Sequence, residues 1–288
     1  MKAILACIPC IIRQTIEVAD MLKLPQKKKR YLVSEIMDLL KDIDISGMTP
    51  PEVTNIAHKR IKELTGTQDL YAKVKKHYNN LALRLYPKLK RLVARASDPF
   101  NMAIRLAIAG NVIDYGANSQ FDIGSTLEEV VDKEFAVDDS PRFKKVLAKA
   151  KEILYIGDNA GEIVFDKLLV EELGKKAKVT FAVKSAPVLN DAMMEDAIDV
   201  SMTSMANVIE SGSENAGTEL KGTSKEFKKV YKKADFVIAK GQGNLETLED
   251  KKKEIFYLLK FKCSYLAKEY GVRYGDIVLA SNRSRKRR

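Results

Sequence analysis

The residues best suited to chemistry lie in one short stretch, Gly157 to Glu162, which reads Gly-Asp-Asn-Ala-Gly-Glu. The apolar run Ile153–Ile156 precedes it and is typical of a strand buried on both faces. After the stretch, apolar residues follow the helical period. Asp158 and Asn159 therefore lie in a tight turn past the carboxyl end of a strand, where open α/β sheets bind ligands. The pair could also serve only as a helix cap.

Two further predicted strands also end in polar residues. Val179–Val183 leads to Asn190-Asp191, and Asp235–Ala239 leads to Lys240-Gly241-Gln242-Gly243-Asn244. Because the carboxyl ends of parallel strands share one edge of a sheet, we expect these groups to converge on one ligand. Asp191 taken alone is explained as well by a helix start.

The chemistry of these groups suggests a cation next to a phosphate. Asp158, Asn159 and Asp191 offer two carboxylates and an amide oxygen, which suit Mg²⁺ or Mn²⁺. Lys240 and the turn from Gly241 to Gly243 offer a positive charge and backbone N–H groups for phosphate binding. The combination predicts metal-assisted chemistry on a phosphoryl group. The sequence has no Walker A motif, and the first strand lacks the Asp-x-Asp of phosphatases that form an aspartyl-phosphate.

The elements that position these residues change character along the chain. Apolar stripes at helical spacing dominate the first 118 residues, and strands alternate with helices after that, which predicts a mainly parallel sheet. The predicted strands are Ile153–Ile156, Val179–Val183, Asp235–Ala239 and Asp276–Leu279. The predicted helices of this half are Glu162–Leu173, Asn190–Ala197, Lys225–Lys233 and Leu245–Tyr270, the last of which could also be two helices. In the first half, Pro87 is expected to kink or break a long helix. We expect a helical region over 1–118, an α/β region that binds metal and phosphate over 119–282, and a basic tail over 283–288, with the two halves packed closely.

Composition narrows the class of protein. The 288 residues include 50 Lys and Arg against 39 Asp and Glu, a net charge of +11. Three cysteines cannot form a disulfide framework, and no apolar run reaches the length of a membrane span. We expect a cytoplasmic protein. The basic runs Lys27–Arg30 and Arg283–Arg288 could bind nucleic acid, but we interpret them as solvated surface, since both lie far from the strand-end site in the sequence.

The three strand-end motifs together resemble the damage-control phosphatases, the family also called Domain of Unknown Function 89 (DUF89). The resemblance covers essentially the whole chain, and Cys7-Ile8-Pro9-Cys10 resembles the mark of its stand-alone, CxxC-bearing subfamily I. It implies an α/β fold, with a helical N-terminal region packed on a Rossmann-like, mainly parallel three-layer α/β region. It also implies Mn²⁺, Ni²⁺, Co²⁺ or Mg²⁺ held by Asp158, Asn159 and Asp191, and hydrolysis of small phosphorylated metabolites such as sugar phosphates.

Several residues have an alternative explanation. Asn111 and Asp114, in a segment that also resembles a family motif, could reach the site from the helical half or could form a polar helix end. Glu162 could act as a general base, bind a substrate hydroxyl, or be a favourable acid in a first helical turn.

Cys7 and Cys10 could bind metal or undergo redox cycling, but we interpret them as buried thiols at a helix start, because no four-ligand zinc spacing is present. His58 and His77 lie on helical patterns among lysines and are interpreted as surface residues.

Two other functions remain open from the sequence. The first is a non-enzymatic binder of sugar phosphates or nucleic acid. The second is an S-adenosylmethionine-dependent carboxyl methyltransferase, which has been proposed for relatives. No Gly-x-Gly-x-Gly follows the first strand to support it. Metal-dependent turnover of a phosphoester separates the phosphatase from the binder, and binding of S-adenosylmethionine tests for the methyltransferase.

Overall fold

The computed structural model describes residues 1–112 and 133–284. Its helices are α1 Cys7–Met21, α2 Gln26–Asp42, α3 Pro50–Thr65, α4 Ala72–Arg95, α5 Pro99–Val112, α6 Ser140–Leu147, α7 Glu162–Gly174, α8 Met194–Asp199, α9 Lys225–Lys233, α10 Gly241–Leu248 and α11 Ser264–Tyr270. Its strands are β1 Val137–Asp138, β2 Glu152–Ile156, β3 Lys178–Val183, β4 Asn207–Glu210, β5 Phe236–Lys240, β6 Ile255–Lys260 and β7 Ile277–Ser281. The predicted boundary between residues 118 and 119 lies outside the described residues.

The described strands form one sheet in the order β1-β7-β6-β5-β2-β3-β4. Neighbouring strands are parallel except β6 and β7, which are antiparallel. This confirms the predicted fold class, a mainly parallel α/β sheet behind a helical N-terminal region. The chain builds outward from β2 through β3 to β4, then crosses back to pair β5 with the other side of β2. The carboxyl ends of β2 and β5 therefore flank the point where strand order reverses, the usual ligand site of such sheets.

Side chains alternate between the two faces of the sheet, and each face has its own helical layer. Tyr155 and Ile238 belong to the cluster beneath α4, α5 and α7, whereas Leu154 and Val237 belong to the cluster beneath α9, α10 and α11. Continuous burial on both faces explains why β2 and β5 are apolar throughout. The sheet is thus held rigidly between two layers, so the residues that follow its strands are fixed in place.

Helices α1, α2 and α3 pack around a third cluster of buried apolar residues. Helix α3 begins with a capping box: Thr49 Oγ1 accepts the Glu52 N–H at 3.3 Å, and Glu52 accepts the Thr49 N–H at 2.6 Å. His58 on this helix is buried, with 3% of its surface exposed, although its lysine-rich surroundings predicted a surface residue. Its ring centroid lies 6.1 Å from that of Tyr71.

Acid should destabilise the fold through His58. Burial lowers its pKa from 6.5 to about 4, so the unfolded chain takes up a proton that the folded chain excludes. Stability is therefore full above the unfolded pKa and is lost as the pH falls towards the folded pKa. We expect a loss of about 2 kcal/mol from this residue between about pH 7 and pH 5. Urea unfolding of the wild type and of His58→Leu at both pH values measures it, and an identical pH dependence in the two proteins would contradict it.

The segment Leu245–Tyr270 was predicted as helix, and that prediction is wrong. It contains the end of α10, then strand β6, then α11. The strand was missed because Ile255–Lys260 is a continuous apolar run, which periodicity alone cannot distinguish from a buried helix. The predicted helix Asn190–Ala197 begins later, at Met194, because the residues before it lie against the β2 turn. Helix α4 continues through Pro87, which we expected to kink or break it.

Candidate active site

The turn after β2 is held against the segment that follows β3 by backbone hydrogen bonds. The Ala192 N–H donates to the Asp158 carbonyl at 2.8 Å, and the Ala160 N–H donates to the Asn190 carbonyl at 2.9 Å. Between these bonds, Asn159 and Asp191 form an isolated antiparallel bridge. Asp191 therefore lies directly beside Asp158 and Asn159, as predicted, even though it is not at the strand end itself.

The two carboxylates are desolvated and repel each other. Asp191 has 4% of its surface exposed. Burial, followed by the negative charges of Glu162 and Asp191, raises the pKa of Asp158 well above its usual range. Burial also raises the pKa of Asp191 to about 6, against the effect of the Lys184 ammonium 3.4 Å away. A cation placed between the two carboxylates would relieve this cost.

Gly241 allows β5 to end against Asp158. Its φ of +76° lies in the left-handed region. A Cβ atom built there would lie 1.8 Å from Asp158 Oδ2. Any side chain at this position would displace the carboxylate, so the predicted glycine turn shapes the site by leaving room for Asp158.

Lys240 lies beneath the site. Its side chain is fully buried, and its Nζ donates to Glu162 Oε1 at 2.7 Å, Asp166 Oδ1 at 2.5 Å and the Ala107 carbonyl at 2.9 Å. These three contacts use all three donors of an ammonium group. Burial acts to lower the pKa of Lys240, but Asp166 and Glu162 outweigh it and raise the pKa. The predicted contact between Lys240 and a phosphate therefore does not match this geometry, because the ammonium group is sealed in an internal ion-pair network.

Glu162 connects that network to the turn. Its Oε2 accepts the amide of Asn159 at 3.1 Å and that of Asn111 at 3.0 Å, while its Oε1 accepts Lys240. Its side chain is fully buried. With both oxygens engaged, the carboxylate is placed to orient the two amides, and this geometry favours positioning over the general-base role that the sequence left open.

Asn111 reaches the site from the end of α5, as predicted for the helical half. Its Nδ2 also donates to Asp158 Oδ2 at 3.2 Å, and its Oδ1 accepts the Lys260 N–H at 3.2 Å. It therefore links the carboxylate to the end of β6. Asp114, the other predicted residue of this segment, lies outside the described residues.

Asn244 and Gly243 differ in their access to the site. Asn244 is buried, and its amide donates to the carbonyls of Lys240 at 2.8 Å and Gly157 at 3.3 Å, which ties the ends of β5 and β2 together. Gly243 borders the open space above Asp158, together with its neighbour Gln242. Of these two predicted phosphate ligands, only Gly243 borders that space.

That space is a cavity of about 460 Å³ between the strand ends and helix α1, a size typical of sites for small metabolites. Asp158, Asn159 and Asp191 line its floor, and Lys262 is the one lysine or arginine among the described residues that line it. The Lys262 backbone N–H donates to Gln242 Oε1 at 3.1 Å, while its side chain is exposed. Two carboxylates and the positively charged Lys262 therefore border the same cavity.

The cysteines border the same cavity at its α1 side. Cys7, Cys10 and Cys263 all line it. Cys7 opens helix α1 and is partly buried, which raises the pKa of its thiol, whereas Cys10 is exposed. The interpretation as buried thiols at a helix start therefore fits Cys7 better than Cys10.

A divalent cation fits the donor set on the cavity floor. Asp158, Asn159 and Asp191 supply hard oxygen donors, and the two carboxylates are desolvated and mutually repelling, as expected of ligands prepared for a cation. Within residues 1–112 and 133–284, no group of three or more His, Cys, Asp and Glu side chains is arranged to hold a metal. The fit therefore depends on the Asn159 amide as a third ligand.

Two functional candidates escaped the sequence reading, Lys262 and Lys184. Lys262 follows β6. Because the sequence predicted this strand as part of a helix, it did not place Lys262 at the edge of the sheet. Lys184 directly follows β3, where its Nζ lies near Asp191 and donates to the Gly217 carbonyl. Its position after the strand was the available signal.

Comparison with known proteins assigns the family. Residues 3–278 match the model of the damage-control phosphatase ARMT1-like domain. A damage-control phosphatase of Pyrococcus horikoshii, PH1575, is 31% identical over 98% of this chain and 99% of its own length, and a damage-control phosphatase of Archaeoglobus fulgidus is 30% identical over 96% and 98%. An uncharacterised protein of Methanocaldococcus jannaschii, MJ0202, is 37% identical over 95% and 93%.

A solved structure is similar to this chain in fold as well as in sequence. The crystal structure of the DUF89 family protein PH1575 superimposes with a TM-score of 0.89, covering 98% of this chain and 99% of that one. No helix in the described parts of the chain has the length and apolar character needed to cross a membrane. The chain belongs to the damage-control phosphatase family, DUF89, as its three strand-end motifs indicated.

Proposed function

We propose that this protein is a metal-dependent phosphatase that hydrolyses small phosphorylated metabolites such as sugar phosphates. The observation that carries the proposal is the convergence of Asp158, Asn159 and Asp191 on one cavity that also holds Lys262. The names of the two relatives, both damage-control phosphatases, support the reaction type. The cavity volume supports a small substrate rather than a phosphorylated protein.

Asp158, Asn159 and Asp191 would hold Mn²⁺, Ni²⁺, Co²⁺ or Mg²⁺. When bound, such a cation polarises a phosphoryl oxygen and lowers the pKa of its bound water towards neutral pH. The protein's own contribution is to fix the three ligands before the substrate arrives. Asn111 and Glu162 hold the Asp158 and Asn159 side chains, and the bridge to Asp191 fixes the third. Such preorganisation lowers the cost of reaching the transition state.

Lys262 would neutralise the phosphoryl oxygens, the role first predicted for Lys240. Lys262 lines the cavity with its backbone N–H bonded to Gln242, and its positive charge partly opposes the rise in the pKa of Asp158. Gly243 lies in the first turn of α10, where N–H groups have no partner within the helix. These N–H groups and the Lys262 ammonium would bind the phosphate next to the carboxylates.

Turnover of phosphorylated metabolites by the purified protein tests the function. The metal-stripped protein is supplied with Mn²⁺, Ni²⁺, Co²⁺ or Mg²⁺ in turn, and phosphate release is followed across a panel of sugar phosphates. We expect release that depends on added metal and is abolished by a chelator. Release that persists in the chelator would contradict metal dependence, and no release from any substrate with any metal would contradict the phosphatase.

Lys262→Ala should weaken substrate binding more than metal binding. Loss of a charge-assisted hydrogen bond of about 1.5–3 kcal/mol predicts a fall in kcat/KM of roughly 10- to 100-fold. Lys262→Arg should retain part of the activity, and Lys252→Ala, an exposed lysine that does not border the cavity, serves as the control. Steady-state kinetics and metal titration measure the two effects. Unchanged kcat/KM in Lys262→Ala would remove this lysine from the phosphate site.

A further inference from the structure

Helix α4 carries an unusual charge distribution. Its 24 residues include eight lysines and arginines and no aspartate or glutamate. Two of the eight are committed to ion pairs: Lys75 is buried against Asp69 at 2.8 Å, and Lys90 contacts Glu171 at 2.9 Å. The other six are exposed, and within the described parts of the chain none pairs with a carboxylate. These six are Lys73, Lys76, Arg84, Lys88, Arg91 and Arg95.

The six cations lie along one side of the helix. At 3.6 residues per turn they fall within an arc of about 120°, and Lys73 and Arg95 are separated by roughly 33 Å along the axis at 1.5 Å per residue. We call this row of six residues the α4 ridge. It faces away from the active site, because the opposite side of α4 holds Asn79, whose Oδ1 accepts the Gly161 N–H at 2.6 Å.

We propose that the α4 ridge is a docking surface for the phosphate backbone of a nucleic acid duplex. A row of cations that pair with no carboxylate of residues 1–112 and 133–284 complements a polymer with regularly spaced negative charges. Such binding is driven by the release of counterions. Carboxylates that would neutralise the ridge are absent from α4 itself. The ridge shares no residue with Lys27–Arg30 or with the basic tail, the two runs that the sequence singled out.

A membrane surface fits the α4 ridge less well. Helices that bind lipid insert an apolar face beneath the headgroups. The apolar face of α4 is instead packed against the protein, with Ala82, Leu89 and Val93 in the core. Leu92, 38% exposed, is the one large hydrophobic side chain of α4 that is exposed. The surface is therefore suited to electrostatic contact with phosphates and offers little for insertion.

Binding of a fluorescent DNA duplex of roughly 20 base pairs, longer than the ridge at 3.4 Å per pair, tests the proposal. Anisotropy is measured over a series of salt concentrations. We expect a dissociation constant of roughly 10⁻⁶ to 10⁻⁴ M that weakens as salt rises. The charge reversal Arg84→Glu with Arg91→Glu should weaken binding at least tenfold and make the slope of log K against log salt shallower by about 2.

A matched control distinguishes duplex binding by the α4 ridge from a general effect of the protein's net charge. Lys27→Glu with Lys28→Glu changes the net charge equally at exposed positions on α2 and should leave duplex binding near wild type. Arg84→Gln with Arg91→Gln gives a milder loss if the reversal fails to fold. Equal loss in the α2 control, or no duplex binding by the wild type, would overturn the proposal. Binding to anionic vesicles without binding to the duplex would also overturn it, in favour of a membrane.

The outcome is independent of the phosphatase proposal. The ridge residues do not border the cavity, so the ridge variants should hydrolyse phosphorylated metabolites at the wild-type rate. A ridge variant that loses turnover with intact duplex binding would contradict this separation.

Discussion

Removing either Asp158 or Asp191 should abolish most turnover, and removing both should add little. Each carboxylate lies past a different strand, and the bridge between Asn159 and Asp191 holds the two side by side, at the cation site proposed above. Residues that act as a unit have strongly non-additive effects. We expect Asp158→Ala and Asp191→Ala each to lower kcat/KM by at least about 100-fold, and the double variant to fall little further.

Metal titration and phosphate release on the three variants decide this prediction. Asp199→Ala, an exposed carboxylate at the end of α8, serves as the control and should leave both measurements unchanged. Circular dichroism checks that the variants fold, because loss of either carboxylate removes a repulsion, whereas Asp191→Ala also leaves the buried Lys184 without its carboxylate partner. Full activity in Asp158→Ala, or normal metal affinity in the double variant, would contradict the mechanism.

The second large effect is on stability, and it concerns Lys240. Lys240→Met would leave Glu162 and Asp166 fully buried without their counterion. Removing one partner of a buried ion pair costs about 3–5 kcal/mol, a large part of the stability of a typical domain. We expect a corresponding fall in the free energy of unfolding measured with urea.

The controls separate lost charge from lost packing. Lys232→Met, at an exposed position of α9, should leave stability unchanged. Combining Lys240→Met with Glu162→Gln and Asp166→Asn removes the uncompensated charges, and part of the lost stability should return. If the single variant unfolds at the wild-type urea concentration, Lys240 does not hold this network together.

The sequence predicted strands β2 and β5 well, because each is a short apolar run that a glycine ends. It also predicted helix α7 from its clear helical period, but it joined α10 and β6 into one helix. It also predicted that Asp158, Asn159 and Asp191 meet, because all three follow parallel strands. The sequence did not show which charged residue borders the cavity. Lys240 directly follows the β5 alanine at the predicted strand end, yet its side chain turns inward to two carboxylates whose positions depend on the packing of α7.

Lys240 was predicted to contact the ligand and does not border the cavity, whereas Lys262 was not predicted and does border it. Its role depended on recognising β6, and the apolar sequence of that strand is compatible with a buried helix. His58 shows a third kind of difference, since a polar residue among lysines was buried by the packing of α3 on its neighbours. For Lys240 and His58 the predicted element was correct, but contacts between distant segments decided where the side chain lies. For Lys262 the predicted element itself was wrong.

The two edges of the sheet are short, and this affects the protein at high concentration. Edge strand β1 has 2 residues and edge strand β4 has 4, while the strands between them have 5 or 6. An exposed edge is a template for pairing with another chain and a route to aggregation, and short strands that end in charge blunt it. Here β1 ends at Asp138 and β4 at Glu210. Any self-association of this chain is therefore expected to proceed through side-chain surfaces rather than by extension of the sheet.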